Sequence, residues 1–302
     1  MPAELRLEPC KSALNHVTGM PFQWSLNPYM GCAHRCTFCY VRAFEQRAQR
    51  PSDDRYGRSI RVKTNVVAVL RAELARASWL REVVAVGAAT DPYQPIEGRF
   101  RLTRGCIEAF AERHTPFSII TRGPMVIRDI DVLQDAARRA RVSVSLSIPT
   151  LDTEIWRITE PGTAPPRQRL RAVRALADAG VRVGVAMAPI LPGLSDKPEL
   201  LRDAVRAARE AGATRIWTEL LYLKPGTREH FLATLADEWP AEAERLAALY
   251  ARRAYLPKPV NAEHVARLAA IAAQHPRRAN APGPIVPEPP RLAVQLGLAF
   301  GA

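Results

Sequence analysis

Between residues 80 and 223, short apolar runs alternate with amphipathic helical patterns, and this alternation restricts the possible folds most. The runs are Val83–Ala89, Ser118–Arg122, Val142–Ile148, Val181–Ala188 and Arg215–Leu223. Near-continuous apolar stretches of this length suit buried parallel strands. Helical patterns lie between them. Ile127, Ile130, Leu133 and Ala137 share one face, as do Leu170, Val173, Leu176 and Ala177, and as do Leu201, Val205 and Ala208. Gly180 and Gly212 each end a helical pattern just before a strand, where a C-terminal capping glycine belongs. Repeated β–α units imply a parallel sheet with right-handed crossovers. A first strand near Gln23–Tyr29 brings the count to about six units, short of the eight of a closed barrel. No G-x-G-x-x-G opens a helix, which weakens a dinucleotide-binding reading. The expected fold class is α/β, a partial (β/α)6 TIM-like barrel with a mainly helical C-terminal extension.

The expected divisions are an N-terminal extension (1–20), the barrel core (21–235), a helical C-terminal region (236–274) and a Pro/Arg-rich tail (275–302). The tail ends in RLAVQLGLAF, which either docks or stays loose. The start Met1-Pro2-Ala3-Glu4-Leu5-Arg6 lacks the layout of a signal peptide. Apolar stretches such as Val181–Leu194 are too short to span a bilayer. A cytosolic location without a membrane partner is expected, where thiols stay reduced. A formal net charge of +13 fits a nucleic-acid or other polyanion partner, and equally follows from an Ala- and Arg-rich composition.

Three of the five cysteines fall in the segment NPYMGCAHRCTFCY, at Cys32, Cys36 and Cys39. In a reducing compartment such clustering points to metal or catalysis. A structural zinc site normally takes four N or S ligands, and His34 lies inside the tight loop, where chelation is awkward. Iron–sulfur clusters are usually held by four thiolates. Three thiolates on a cubane leave one iron open for a substrate or cofactor. Cys10 and Cys106 have no partner at metal spacing and read as plain thiols.

The C-x3-C-x2-C spacing, with Phe38 before the last cysteine, resembles the signature of the radical S-adenosylmethionine (SAM) superfamily. The segments TDPYQPIE (Thr90–Glu97), TRGPMVIRDIDVL (Thr121–Leu133) and PILPGLSD (Pro189–Asp196) are similar to the branch containing spore photoproduct lyase. The resemblance covers roughly residues 15 to 235. It implies a partial (β/α)6 barrel with the cysteine loop after the first strand. It implies a 4Fe–4S cluster on Cys32, Cys36 and Cys39, with SAM chelating the fourth iron. Reductive cleavage would then yield a 5′-deoxyadenosyl radical, with an electron donor such as flavodoxin or ferredoxin.

Carried over residue by residue, Phe38 contacts adenine, as does the flank Met187–Ile190. The resemblance makes Thr90 and Asp91 the candidates to receive the amino group of SAM. Arg122 stands near its carboxylate, where a guanidinium serves well. Ser145 or Ser147 matches a ribose-binding serine. Spore photoproduct lyase takes a hydrogen-donor cysteine near the end of its second strand, where this chain has Ala88 and Ala89. Tyr40 and Tyr93 are the remaining candidate radical relays. Among other polar residues, Glu97 is open between site and turn, and Arg128–Asp129 reads as a helix-opening ion pair. Glu219 is costly to bury unpaired and is open between a substrate or ribose contact and an Arg pair, and Glu160–Pro161 lies on a long loop that is open between the expected mouth and a connector. The substrates that fit are a nucleic-acid lesion, a modified RNA, a peptide or a small metabolite. The rival class is a non-catalytic metal-binding module that orders a nucleic-acid surface.

Overall fold

The computed structural model describes residues 3–47, 50–53, 55–279 and 282–287. The N-terminal part contains β1 (Glu4–Glu8), β2 (Leu14–His16), β3 (Trp24–Leu26), β4 (Tyr29–Met30), α1 (Val41–Arg47), β5 (Ser59–Lys63) and α2 (Val66–Leu74). The alternating part follows with β6 (Val84–Val86), α3 (Glu97–Phe100), α4 (Leu102–Glu112), β7 (Phe117–Thr121) and, after a 3-10 turn over Pro124–Asp129, α5 (Ile130–Arg139). It continues with β8 (Val142–Ser147), α6 (Thr153–Thr159), α7 (Pro166–Asp178), β9 (Val183–Ile190), α8 (Pro198–Glu210) and β10 (Arg215–Leu220). Helices α9 (Thr227–Glu238), α10 (Pro240–Tyr250) and α11 (Lys258–Gln274) complete the described elements.

The main sheet has seven strands in the order β10-β9-β8-β7-β6-β3-β2. From β3 to β10 every neighbouring pair is parallel, and β2 adds antiparallel to β3. Each parallel strand lies beside its predecessor in that series. A doubly wound sheet would instead reverse its strand order at a switch point. Among the described residues β2 and β10 are the unpaired edges of the sheet, so the barrel is open, in keeping with six units.

Local chemistry explains why these elements stop where they do. Gly180 (φ +72°) and Gly212 (φ +101°) are left-handed C-terminal caps. Val181 N–H donates to the Leu176 carbonyl at 3.0 Å and Ala213 N–H to the Ala208 carbonyl at 3.0 Å. These are two copies of one Schellman motif, each satisfying carbonyls that the helix end leaves over. Leu176, Val205, Leu133, Val144 and Leu146 are wholly buried in the core between sheet and helices. Each contributes about 1.5–3 kcal/mol by leaving water. Ile127 departs from the expected helical face. It is 45% exposed because it lies in the 3-10 turn, and α5 begins only at Ile130.

Among the described residues, the stretch expected as an N-terminal extension gives a strand to each sheet. β1 pairs parallel with β5, β5 pairs antiparallel with β4, and β2 extends the main sheet. At the other end, Ile285 N–H donates to the Gly180 carbonyl at 2.8 Å and Arg278 N–H to the Arg209 carbonyl at 3.2 Å. Arg278 and Ile285 of the tail therefore lie against the ends of α8 and α7; RLAVQLGLAF falls outside the described residues. No helix among the described residues is long and apolar enough to cross a membrane.

Candidate active site

The cysteine loop follows β3 and the short β4, so it sits at the carboxyl end of the parallel strands. Gly31 opens it with φ +82°, a left-handed conformation that favours glycine. Five residues hold the loop and its flanks. The wholly buried Gln94 donates from Nε2 to the Gly31 carbonyl at 3.1 Å and accepts from Ala33 N–H at 2.9 Å. The side-chain Oδ1 of the buried Asn27 accepts from Ala89 N–H at 2.9 Å and Thr90 N–H at 3.2 Å, which ties β3 to the loop after β6. Gly162 N–H donates to the His34 carbonyl at 3.0 Å, and Thr37 N–H to the Thr159 carbonyl at 2.9 Å. A side chain at Gly162 would collide with the carbonyls of Ala33 and His34. Finally, Arg42, 1% exposed, donates to the carbonyls of Cys36, Ser52, Asp53 and Arg35.

Cys32 and Cys36 are buried and Cys39 is half-buried. Burial pushes the thiols of Cys36 and Cys39 well up, and the neighbouring cysteines push the same way. Tyr56 Oη lies 3.6 Å from Cys39 Sγ. Among the described residues, no three His, Cys, Asp or Glu side chains converge on one ion. A polynuclear cluster takes each thiolate on a different iron and needs no such convergence. His34 faces Asp91: its Nδ1 lies 3.2 Å from Asp91 Oδ2, a charge contact without hydrogen-bond geometry. Burial alone would lower its pKa, but the Asp91 carboxylate and then Cys32 raise it to about 10. The donor set thus offers three soft thiols with Arg42 and Arg122 beside them to offset thiolate charge. That set fits an iron–sulfur cluster.

Arg122, at the end of β7, donates to Glu160 and, from NH2, to the Ala188 carbonyl at 3.1 Å. Its guanidinium carbon stands 5.3 Å from the Phe38 ring centroid. Ser147 Oγ donates to the same Ala188 carbonyl at 3.1 Å. Phe38, Arg122, Ser147 and the flank of β9 are therefore gathered beside Cys36. Ser145 shares the Ser147 face of β8, opposite the buried Val144 and Leu146, and is half-buried. Asp91 accepts from Thr121 Oγ1 at 2.6 Å, Arg122 N–H at 2.6 Å and Tyr93 N–H at 2.8 Å. Burial would raise its pKa, but His34 and these donors hold it below the usual carboxylate range. Asp91 thus joins the cysteine loop to the end of β7. Thr90 turns its hydroxyl to the Tyr29 carbonyl at 3.2 Å.

The two tyrosines part company. Tyr40 is 40% exposed, and its hydroxyl donates to the Ala88 carbonyl. Tyr93 is buried in the main core, with its hydroxyl 3.0 Å from Asp129. There Arg128 pairs with Asp129 at 2.8 Å and with the wholly buried Glu97 at 2.9 Å. Glu97 also accepts from Tyr29 Oη and Thr103 N–H, which ties α3 to β4 and to the start of α4. Glu219 is exposed on the edge strand β10 rather than buried.

Glu160 is a buried, paired carboxylate rather than an exposed loop residue. It ends α6, whose first turn is capped by the Asp152 carboxylate. It is 2% exposed and clasped between Arg122 and the wholly buried Arg169, whose NH2 lies 2.6 Å away. Arg169 also donates to the carbonyls of Ser147 and Ala164, each at 2.8 Å. Sequence reasoning missed Asn27, Arg42, Gln94 and Arg169. Each is a polar residue in or near a cysteine- or proline-rich motif, where it reads as solvated.

Apolar side chains of the C-terminal helices close the group. Phe38 meets Phe231 edge-on at 6.4 Å, and Cys36 packs in a cluster with Leu235, Leu246 and Tyr250. Thr227 Oγ1 donates to the Cys39 carbonyl at 3.1 Å.

Residues 26–204 match the family described as the Radical SAM superfamily. An uncharacterised protein of Mycobacterium tuberculosis is 41% identical over 251 residues, covering 82% of this chain and 74% of that protein. An uncharacterised protein of Methanocaldococcus jannaschii is 24% identical over 243 residues, covering 79% and 85%. Among solved structures, a cysteine variant of spore photoproduct lyase superposes with a TM-score of 0.66 at 17% identity, covering 89% of this chain and 79% of that one. Spore photoproduct lyase complexed with dinucleoside spore photoproduct gives 0.57 at 17% identity, covering 78% and 66%. At that identity the likeness concerns the fold.

Proposed function

The chain belongs to the radical SAM superfamily, and from that premise we propose that it acts as an enzyme abstracting a hydrogen atom from a nucleic-acid lesion. Cys32, Cys36 and Cys39 would hold the 4Fe–4S cluster of the family. The supporting observation is their place: one buried loop at the carboxyl ends of six parallel strands, clamped by Gln94, Gly162 and Arg42. When bound, cluster and SAM supply the electron and the 5′-deoxyadenosyl radical.

The chain's own residues bind, orient and exclude water. Arg42 and Arg122 offset the charge of three thiolates in a site where an unpaired charge is costly. Arg122 is aimed by Glu160 and suits a carboxylate, which a guanidinium can grip through two N–H groups. Phe38 offers a ring face for adenine, and Ser145 and Ser147 offer hydroxyls for a ribose. Phe231, Leu235 and Leu246 keep water from the cysteine side. At the end of β6, Ala88 and Ala89 supply no thiol, and the Tyr40 hydroxyl reaches Ala88. Tyr40 is therefore the proposed hydrogen-atom relay. The net charge of +13 suits a phosphate-bearing substrate.

The test is anaerobic reconstitution, then reaction with dithionite and SAM, with chromatography for 5′-deoxyadenosine and metal analysis. About four iron and four sulfide per chain are expected, as for one cubane, and Cys39→Ala should lose both the cluster and the product. One zinc per chain in place of iron, or a SAM-responsive cluster retained in Cys39→Ala, would overturn the assignment.

A further inference from the structure

The segment after β10 carries an aromatic pair that the cofactor site does not use. Tyr222 and Tyr255 stack with ring centroids 4.2 Å apart and planes 30° apart. Tyr255 is 65% exposed, so one ring face is open to solvent. Lys224 Nζ stands 5.4 Å from the Tyr222 ring centroid. Backbone pairing holds the two segments together, with Leu223 N–H donating to the Ala254 carbonyl at 2.9 Å. Arg252 and Arg253, just before Tyr255, are exposed, and their side chains have no partner among the described residues. Glu219 is the acid beside the pair.

Location gives the pair its meaning. Tyr222 follows the carboxyl end of β10, the end of the sheet that carries the cysteine loop. Five residues on, Thr227 hydrogen-bonds the Cys39 carbonyl. Five residues span at most about 18 Å, so Tyr222 lies within about 18 Å of the residue that holds the Cys39 carbonyl, just beyond the edge strand β10. Burial, Tyr222 and Glu219 raise the Tyr255 pKa, which keeps the phenol neutral and its ring available for stacking.

We propose that Tyr222 and Tyr255, with Lys224, Arg252 and Arg253, form a contact for an unpaired nucleotide strand at the open edge of the barrel. Every base has a π-face, so an aromatic platform beside cations binds single strands with little regard to sequence. The surface deepens the proposed function and rests on it for its catalytic role, but strand binding can be measured without turnover.

The experiment is fluorescence anisotropy of the reconstituted full chain with short fluorescein-labelled thymidine and uridine oligonucleotides over a salt series. Tyr255→Ala should weaken binding by about 5- to 150-fold, the loss expected for one base–aromatic stack, whereas Tyr255→Phe should bind as the parent. Arg252→Ala/Arg253→Ala should flatten the log–log salt dependence by about 0.7 per charge removed. The DNA and RNA arms identify which strand the surface prefers. Binding by Tyr255→Ala equal to that of Tyr255→Phe, or an unchanged salt slope in the arginine variant, would overturn the proposal. Tyr255-dependent binding without SAM cleavage would sink the enzyme reading and leave this surface standing. SAM cleavage without Tyr255-dependent binding would do the reverse.

Discussion

Replacing Glu160 tests the charge arrangement behind the cysteine loop. Its carboxylate is 2% exposed and lies between Arg122 and the wholly buried Arg169. Removing the charge leaves two guanidiniums in a site with little water. Breaking a buried pair from one side costs about 3–5 kcal/mol. Glu160→Gln keeps one acceptor oxygen and is expected near 3 kcal/mol; Glu160→Leu keeps none and is expected near 5. Either is a large share of the roughly 5–15 kcal/mol of a folded domain. Arg169→Met also destabilises, because it strips donors from the Ser147 and Ala164 carbonyls. Glu160→Gln/Arg169→Met should cost less than the sum of the two single changes, by about 0.5–3 kcal/mol, because they share one ion pair. Urea unfolding of the anaerobic protein, followed by circular dichroism, gives all three numbers. A loss below about 1 kcal/mol for Glu160→Gln, far under the buried-pair range, would refute the reasoning. So would strict additivity in the cycle.

The same pair predicts an acid sensitivity. Burial would raise the carboxyls of Glu160 and Asp91, yet Arg122 and Arg169 beside the first, and His34 beside the second, hold both below their ordinary values. A depressed folded pKa means the stabilisation is present above the unfolded value and is lost as pH falls through the folded one. Urea midpoints should therefore drop below about pH 4, and less steeply in Glu160→Gln; parallel pH curves would contradict this. Gln94→Leu should unpair Ala33 N–H and the Gly31 carbonyl. At about 1–3 kcal/mol for each buried group left unsatisfied, thermal unfolding should fall and reconstituted iron should be held less firmly. Iron content and melting temperature equal to the parent's would show that the clamp is dispensable.

The six parallel strands, the helix faces of α7 and α8, both Schellman glycines and the cysteine triplet were legible in the chain. Strand and helix periods, and the φ > 0 demand of a C-terminal cap, are set by neighbours a few residues apart. Ile127 was misread because one 3-10 turn shifts the phase of a helical face. Strand alternation alone was compatible with a barrel or a doubly wound sheet, and only the observed pairing order decides between them. The thiol spacing named a chemistry but not its housing. Gln94 reaches 63 residues back to Gly31, and Thr159 meets Thr37 from 122 residues away. Glu160 read as part of a loop, open between mouth and connector, and it is a buried counter-ion because α7 brings Arg169 over it. Local order and thiol chemistry were thus determined by the sequence itself. Which polar groups lose water, and which partner each finds, was decided only by tertiary packing, since desolvation depends on what the whole fold places around a group.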